Sequence, residues 1–202
     1  MSFDPPISPY NASDPHATFL SSSCLDLLLI ELVPLSFRLA AELSASAAGP
    51  ADSKKVASAA AAADEEEQRE AAFFRLEMLG YRVGQGLVER FSRDRPRFTD
   101  TLDAIKFLCK DLWTLVFRKQ IDNLKTNHRG IYVLTDSSFR PFSRMSMEAG
   151  SPVINRAQPF LWFPCGIIRG ALANMGIDAT VQAETTELPG ATFQIKTVNA
   201  KT

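Results

Sequence analysis

Between Leu76 and Arg93 the sequence reads LEMLGYRVGQGLVERFSR. Its apolar residues Leu76, Leu79, Val83, Leu87 and Phe91 recur at helical spacing. Three glycines, Gly80, Gly84 and Gly86, fall inside this helix. A glycine in a helix interior costs roughly 1 kcal/mol relative to alanine, so something must offset them. A missing Cβ lets a second backbone come close, and Gly80 and Gly84 lie one turn apart on one face. The stretch therefore predicts a helix pressed tightly against another helix, either of this chain or of a partner.

A second constraint comes earlier, in SSSCLDLLLIELVPLSFRLAAEL. The serines are candidate N-caps, and Asp26 falls early, where the helix dipole favours an acid. Leu25, Leu28, Leu29, Leu32, Leu35, Leu39 and Leu43 form one apolar stripe, while Leu27, Ile30 and Val33 cover much of the remainder. A helix that is apolar nearly all round is buried on more than one side. In a chain of 202 residues, which holds one good core, that predicts core on one side and a partner subunit on the other.

The flanking segments differ in character. Residues 1–18, rich in Pro, Ser, Asn and Asp, predict a disordered arm, and 19–202 a single domain. Residues 44–68 are Ala-, Ser- and acid-rich and read as a low-complexity, disordered insertion whose end, from about Asp64, lengthens the glycine helix. After Pro96, Thr99 is a plausible cap for a long helix reaching about Leu124. The pattern then switches to strands. Residues 131–134 and 138–145 suggest a hairpin, with Pro141 placing the second strand at an edge. A third apolar helix covers roughly Ala157 to Met175; it contains Gly166 and Gly170, again one turn apart, and Gly176 suits the C′ position. IDATVQAET and ATFQIKTV form a last hairpin across Leu188-Pro189-Gly190. Helices first, hairpins late and no βαβ alternation define an α+β fold.

Charge and cysteine content narrow the function classes. A formal net charge of −1 argues against nucleic-acid binding. Between Arg69 and Arg129, however, 13 basic side chains stand against 8 acidic ones. Arg90, Arg93, Arg95 and Arg97 crowd the middle of this span; they are either a solvated helix end or a surface facing anionic lipid or an acidic protein. Three cysteines, Cys24, Cys109 and Cys165, lie far apart without metal-ligand spacing. An odd count behind an N-terminus without secretory-signal features predicts a reducing compartment. The run Leu25–Leu35 is too short and too charged to span a bilayer.

No stretch carries catalytic chemistry. The two histidines, His16 and His128, fall in the arm and in a turn. HExxH, CxxC, Walker and GxSxG motifs are absent, and GYRVGQG does not follow a strand as a dinucleotide fingerprint does. Trp113 and Trp162 read as core. Arg169, inside an apolar helix, requires either a partner or an exit to water. The expectation is no enzyme, no metal and no cofactor.

Three stretches carry a family likeness: LEMLGYRVGQGLVERFSRDRPRF, LDAIKFLCKDLWTLVFRKQIDNLKTNHRGIYVL and CGIIRGALANMGI. They resemble the small subunits of TRAPP, the transport protein particle, in the branch of its sixth subunit. The likeness runs almost without gaps from Leu76 to Leu134, resumes at Cys165, and is weaker over Leu25–Leu43. It implies helices packed on one side of an antiparallel four-stranded sheet built from two hairpins. It also implies a non-catalytic scaffold subunit that heterodimerises with the third small subunit through its first two helices. The whole complex tethers vesicles and exchanges nucleotide on a Rab GTPase in ER-to-Golgi and Golgi transport, in the cytoplasm and peripherally on ER and early Golgi membranes. On this reading the partner surface comprises Leu27, Leu28, Ile30, Leu32 and Val33 of the first helix. From the second helix it takes Leu76, Leu79, Gly80, Tyr81, Val83, Gly84 and Leu87, with the arginine cluster as a membrane- or partner-facing patch. The alternative is a module binding an apolar ligand such as an acyl chain, in a cavity between the face from Leu102 to Val116 and the third apolar helix. One departure bears on it: aligning Phe98 with the third-subunit branch puts Arg95 where that branch has its acylated cysteine.

Overall fold

Burial alternates along the strands, and the alternation fixes which sheet face carries the helices. The computed structural model describes residues 20–47, 59–127, 129–145 and 153–198. Four strands, β1 (Asn123–Thr126), β2 (Ile131–Asp136), β3 (Ala179–Glu184) and β4 (Ala191–Thr197), form an antiparallel sheet in the order β1-β2-β4-β3. Leu134 faces Phe193 and Tyr132 faces Ile195 across the central pair, all on the buried side. The helices cover that side: α1 (Ser22–Ala47), α2 (Ala59–Phe91), α3 (Thr101–Phe107), α4 (Trp113–Phe117), α5 (Val153–Ala157) and α6 (Trp162–Asn174). Ile105, Leu108, Leu112, Trp113, Ile168 and Leu172 fill the space between helices and sheet, and Trp113 stacks edge-on against Phe193 at 5.2 Å. The α+β class and the two hairpins are as expected.

Two boundaries are corrected. The helix expected to reach Leu124 ends at Phe117, because Arg118 adopts a left-handed conformation (φ 64°). α3 and α4 are joined by a π turn, Leu108–Leu112, and the Cys109 carbonyl accepts a bond from Ile121 N–H (3.1 Å) that draws the chain back. The residues released become β1, so the first hairpin pairs 123–126 with 131–136. It does not pair 131–134 with 138–145. In that later segment Phe139 and Phe142 are both buried, a spacing of three that fits the 3₁₀ turn Arg140–Arg144 rather than a strand. The cap also moves by one residue: Asp100, not Thr99, accepts from Asp103 N–H (2.6 Å).

The Ala-rich segment is more helical than expected. α1 continues to Ala47 and α2 begins at Ala59, five residues before Asp64. Alanine is the strongest helix former, which accounts for a helix that starts five residues before the acidic run rather than at it. The rest of the expected insertion, 48–58, and the arm 1–18 lie outside the described residues.

The glycine helix meets its own chain. α2 and α6 run in the same direction, and a Cβ on Gly80 would lie 2.1 Å from the Phe163 carbonyl oxygen. On Gly166 it would lie 2.0 Å from that of Glu77, and on Gly170 2.0 Å from that of Tyr81. Each helix pushes its carbonyls into the notches of the other. Arg169 crosses the seam to the Glu77 carboxylate (Nη2–Oε2 2.7 Å) and lies 4.6 Å above the Tyr81 ring. The glycines are thus explained within the chain, and Gly80 and Gly84 are not open to a partner backbone.

Candidate functional site

α1 lies against α2 along a narrow face built from Val33, Ser36 and Ala40, at spacings of three and four. Val33 packs with Ala72, Leu76 and Trp162 in a small cluster separate from the main core. Small side chains at Ser36 and Ala40 let the two helices approach, and the Ser36 hydroxyl is spent on the Leu32 carbonyl (2.9 Å). At its N-terminal end α1 is held by charge. Asp26 accepts from Arg140 (3.0 and 3.1 Å) and Arg144 (3.3 Å), and the Arg140 hydrogen bonds hold its carboxyl below the usual carboxylate range.

This packing leaves much of α1's apolar surface uncovered. Leu27 is 63% exposed, Leu28 60% and Leu43 53%. Ile30, Leu35 and Leu39 are exposed as well. Leu28, Leu32, Leu35, Leu39 and Leu43 follow one another at spacings of four, three, four and four, so they form a continuous ridge, with Leu32 half-buried. On α2, Phe73, Phe74 and Val83 are exposed.

The expected interface residues therefore divide. Leu27, Leu28, Ile30 and Val83 are exposed. Leu32, Leu79, Tyr81 and Leu87 are half-buried, Tyr81 beneath Arg169 and Leu87 against the main core. Four expectations are corrected, because these residues are consumed inside the chain: Val33 and Leu76 between α1, α2 and Trp162, and Gly80 and Gly84 under α6. The first helix divides as well: Leu28, Leu35, Leu39 and Leu43 are exposed along with Leu27 and Ile30, while Val33, expected at the partner surface, is buried. The signal that would have found this is Ser36 and Ala40, the small residues that mark a close helix contact. Phe73 and Phe74, in AAFFRLEM, were passed over.

Arg90, Arg93, Arg95 and Arg97 are all exposed but are not four free charges. Arg95 pairs with Asp111 (2.8 Å) and lies 4.8 Å over the Phe107 ring, and Asp94 and Asp100 are exposed in the same loop. Arg95 thus holds a guanidinium, not a nucleophile, at the edge of the core. The thiols are no substitute: burial pushes Cys109 up to about 12, and burial with the Glu77 charge pushes Cys165 up as well. Among the described residues, the space between the face from Leu102 to Val116 and α6 is filled by side chains. Leu108, Leu112, Ile168 and Leu172 close that space, and the clefts beside α1 hold about 10 Å³ each, near one water molecule.

A single α+β domain that keeps a leucine ridge outside is the build of an assembly subunit, held in place by apolar contact. The family model for the transport protein particle (TRAPP) component matches residues 25–198, and the chain belongs to that family of non-catalytic complex subunits. Human trafficking protein particle complex subunit 6B is 54% identical over 121 residues, covering 60% of this chain and 75% of that protein. An uncharacterised Schizosaccharomyces pombe protein is 41% identical over 172 residues, covering 85% of this chain and 62% of that one. The chain is thus a homologue of TRAPP subunit 6, a component of a vesicle-trafficking complex. Among solved structures, TRAPP subunit 3 from Naegleria fowleri, covalently bound to palmitic acid, shares the fold with a TM-score of 0.60 at 13% identity, over 89% of this chain and 98% of that one. No helix among the described residues is long and apolar enough to cross a membrane.

Proposed function

We propose that this subunit is a scaffold that heterodimerises with the third TRAPP small subunit through the outer faces of α1 and α2. It thereby helps build a vesicle-tethering particle that exchanges nucleotide on a Rab GTPase at ER and early Golgi membranes. The observation that supports the reading is the exposed ridge Leu28–Leu35–Leu39–Leu43 on α1. A ridge of this length is costly to leave in water and marks an interface. Obligate interfaces of this kind bury on the order of 2,000 Å² or more. The arginine cluster serves as a weaker, salt-sensitive contact at the rim, since Arg95 is already paired.

The test is a double charge substitution on the ridge, Leu28→Asp with Leu35→Asp, co-expressed with the third subunit. Both sites are exposed, so the fold tolerates the change, while a desolvated charge at the interface does not. The expected result is a folded chain that no longer co-elutes with its partner in size-exclusion chromatography. Co-elution as in wild type would place the interface elsewhere.

A further inference from the structure

Pro34 lies in the interior of α1. It has no N–H to offer the Ile30 carbonyl, so the hydrogen-bond ladder breaks there, at the kind of site where helices bend. The two halves of α1 are attached differently. Beyond Pro34, Ser36 and Ala40 are buried. Before it, no side chain from Ser23 to Leu32 is buried, and two clefts of about 10 Å³ each lie among Leu29, Pro141 and Phe160. What closes this seam is charge. Arg140 grips the Asp26 carboxylate with two bonds (Nε–Oδ1 3.0 Å, Nη2–Oδ2 3.1 Å), and Arg144 adds a third (3.3 Å). Both arginines stand on the 3₁₀ turn Arg140–Arg144, which the buried Phe142 roots in the main core. The Asp26 and Arg140 side chains are only 13% and 23% exposed, so the pair itself is largely shielded. The apolar ridge crosses the break: Leu27 and Leu28 precede Pro34, and Leu35, Leu39 and Leu43 follow it, all exposed.

We infer that Asp26, Arg140 and Arg144 form a clasp that holds the first turns of α1 in line across Pro34, and so positions Leu27 and Leu28 for the docking subunit. This rests on the reading of the outer face of α1 and α2 as the dimer surface. The three are positioning residues: they act through α1 and need not touch the partner. A bidentate, charge-assisted pair suits the task, because it fixes direction as well as distance. With the clasp shut the ridge is presented whole, and docking does not have to order it. With the clasp open the turns before Pro34 have little else to hold them, and the ridge is cut to its second half.

The test uses the full chain and recombinant TRAPP subunit 3. Wild type, Asp26→Asn, Arg140→Gln, the double variant and the Leu28→Asp/Leu35→Asp variant are compared. Amide hydrogen exchange is read peptide by peptide on the isolated chains, and binding is titrated calorimetrically. Each clasp variant should speed exchange in residues 22–33 by roughly tenfold or more and leave the amides of α2 and α6 as they are. Each should also weaken binding by about fivefold or more, and the double variant should lose little beyond either single one, because all three open the same clasp. Unchanged exchange in residues 22–33 overturns the inference. So does faster exchange with binding as in wild type, which makes the position of these turns irrelevant to docking. Weaker binding without faster exchange overturns it too, since the side chains then touch the partner directly. Faster exchange throughout α2 and α6 makes the pair a general support of the fold, and the inference falls. If the ridge variant fails to bind while the clasp variants bind as wild type, only the clasp assignment falls. If the ridge variant binds as wild type, the face itself is wrong and the inference goes with it.

Discussion

Gly84 and Ile167 touch backbone to backbone: a Cβ on Gly84 would sit 2.2 Å from the Ile167 carbonyl oxygen, closer than any real Cβ contact. Backbone cannot swing aside as a side chain does. Gly84→Ala should therefore force α2 and α6 apart and destabilise the domain by about 1–3 kcal/mol, the usual range for overpacking. Gly86, two residues on, has nothing within 4 Å of its Cβ position. Gly86→Ala should stabilise by roughly 0.5–1 kcal/mol, through helix propensity alone. Opposite signs in denaturant unfolding check the interlock. Equal effects would contradict it.

Half of this interlock was legible before the structure. GYRVG and GIIRG both announce notched helices, and each notch needs an occupant; what the sequence does not state is that the two occupants are each other. The orientation of α1 was harder to read, because leucine on nearly every side removes the contrast on which periodicity depends. Glu31, Arg38 and Glu42 mark exposed positions, but the buried face is marked only by Ser36 and Ala40, which are small rather than apolar and large. The first hairpin was misplaced for a different reason. A left-handed residue ordinarily shows itself as glycine, and here Arg118 takes that conformation, held by a tertiary bond between Ile121 and Cys109.

On α1 the two faces should respond differently to truncation. Val33 is buried against Leu76 and Trp162, so Val33→Ala leaves a gap and should cost roughly 1–3 kcal/mol. Leu35 and Leu39 are exposed, so Leu35→Ala and Leu39→Ala should change the isolated chain's stability by no more than about 0.5 kcal/mol. Urea melts of the three variants measure this. A large loss at Leu35 would mean that α1 packs by its ridge.

The three thiols should separate by reactivity. Cys24 is exposed, whereas Cys109 and Cys165 are buried and their thiols are pushed up. Only the thiolate attacks an alkylating agent. Native protein at pH 8 should take up iodoacetamide at Cys24 alone, and all three cysteines should react in denaturant. Mass spectrometry of the labelled peptides decides it; native labelling of Cys109 would show that the core opens.

Part of the acid limb of the stability profile should belong to Asp122, beside Lys119. Asp136 is fully buried and accepts from Trp113 Nε1 (2.9 Å), Lys119 Nζ (2.6 Å) and Ser138 N–H (3.1 Å). Lys119 also reaches Asp122 (2.8 Å), which accepts from the backbone and hydroxyl of Ser137. These bonds, that from Lys119 foremost, take the Asp122 carboxyl from 3.8 down to about 2. Burial works against the Lys119 ammonium, but its bonds to Asp122 and Asp136 outweigh that and raise its pKa. A carboxyl with a depressed folded pKa binds its proton more weakly than the unfolded chain does. The stability it contributes is complete above about pH 4 and drains away as pH falls towards 2. Lysine behaves in the opposite sense: its share is complete below about pH 10 and is lost only as pH rises through the raised value. Asp122→Asn should therefore flatten the melting-temperature curve between pH 4 and 2 and change it little near pH 7, because Asp122 is partly exposed. Asp136→Ala should do far more, at every pH. It strips the acceptor from a buried indole and leaves Lys119 with Asp122 alone, a loss of about 1–3 kcal/mol. If Asp136→Ala melts within a degree or two of wild type at pH 7, the network does not anchor β2 to α4, and the chain reversal after Phe117 must be held by the Ile121–Cys109 bond alone.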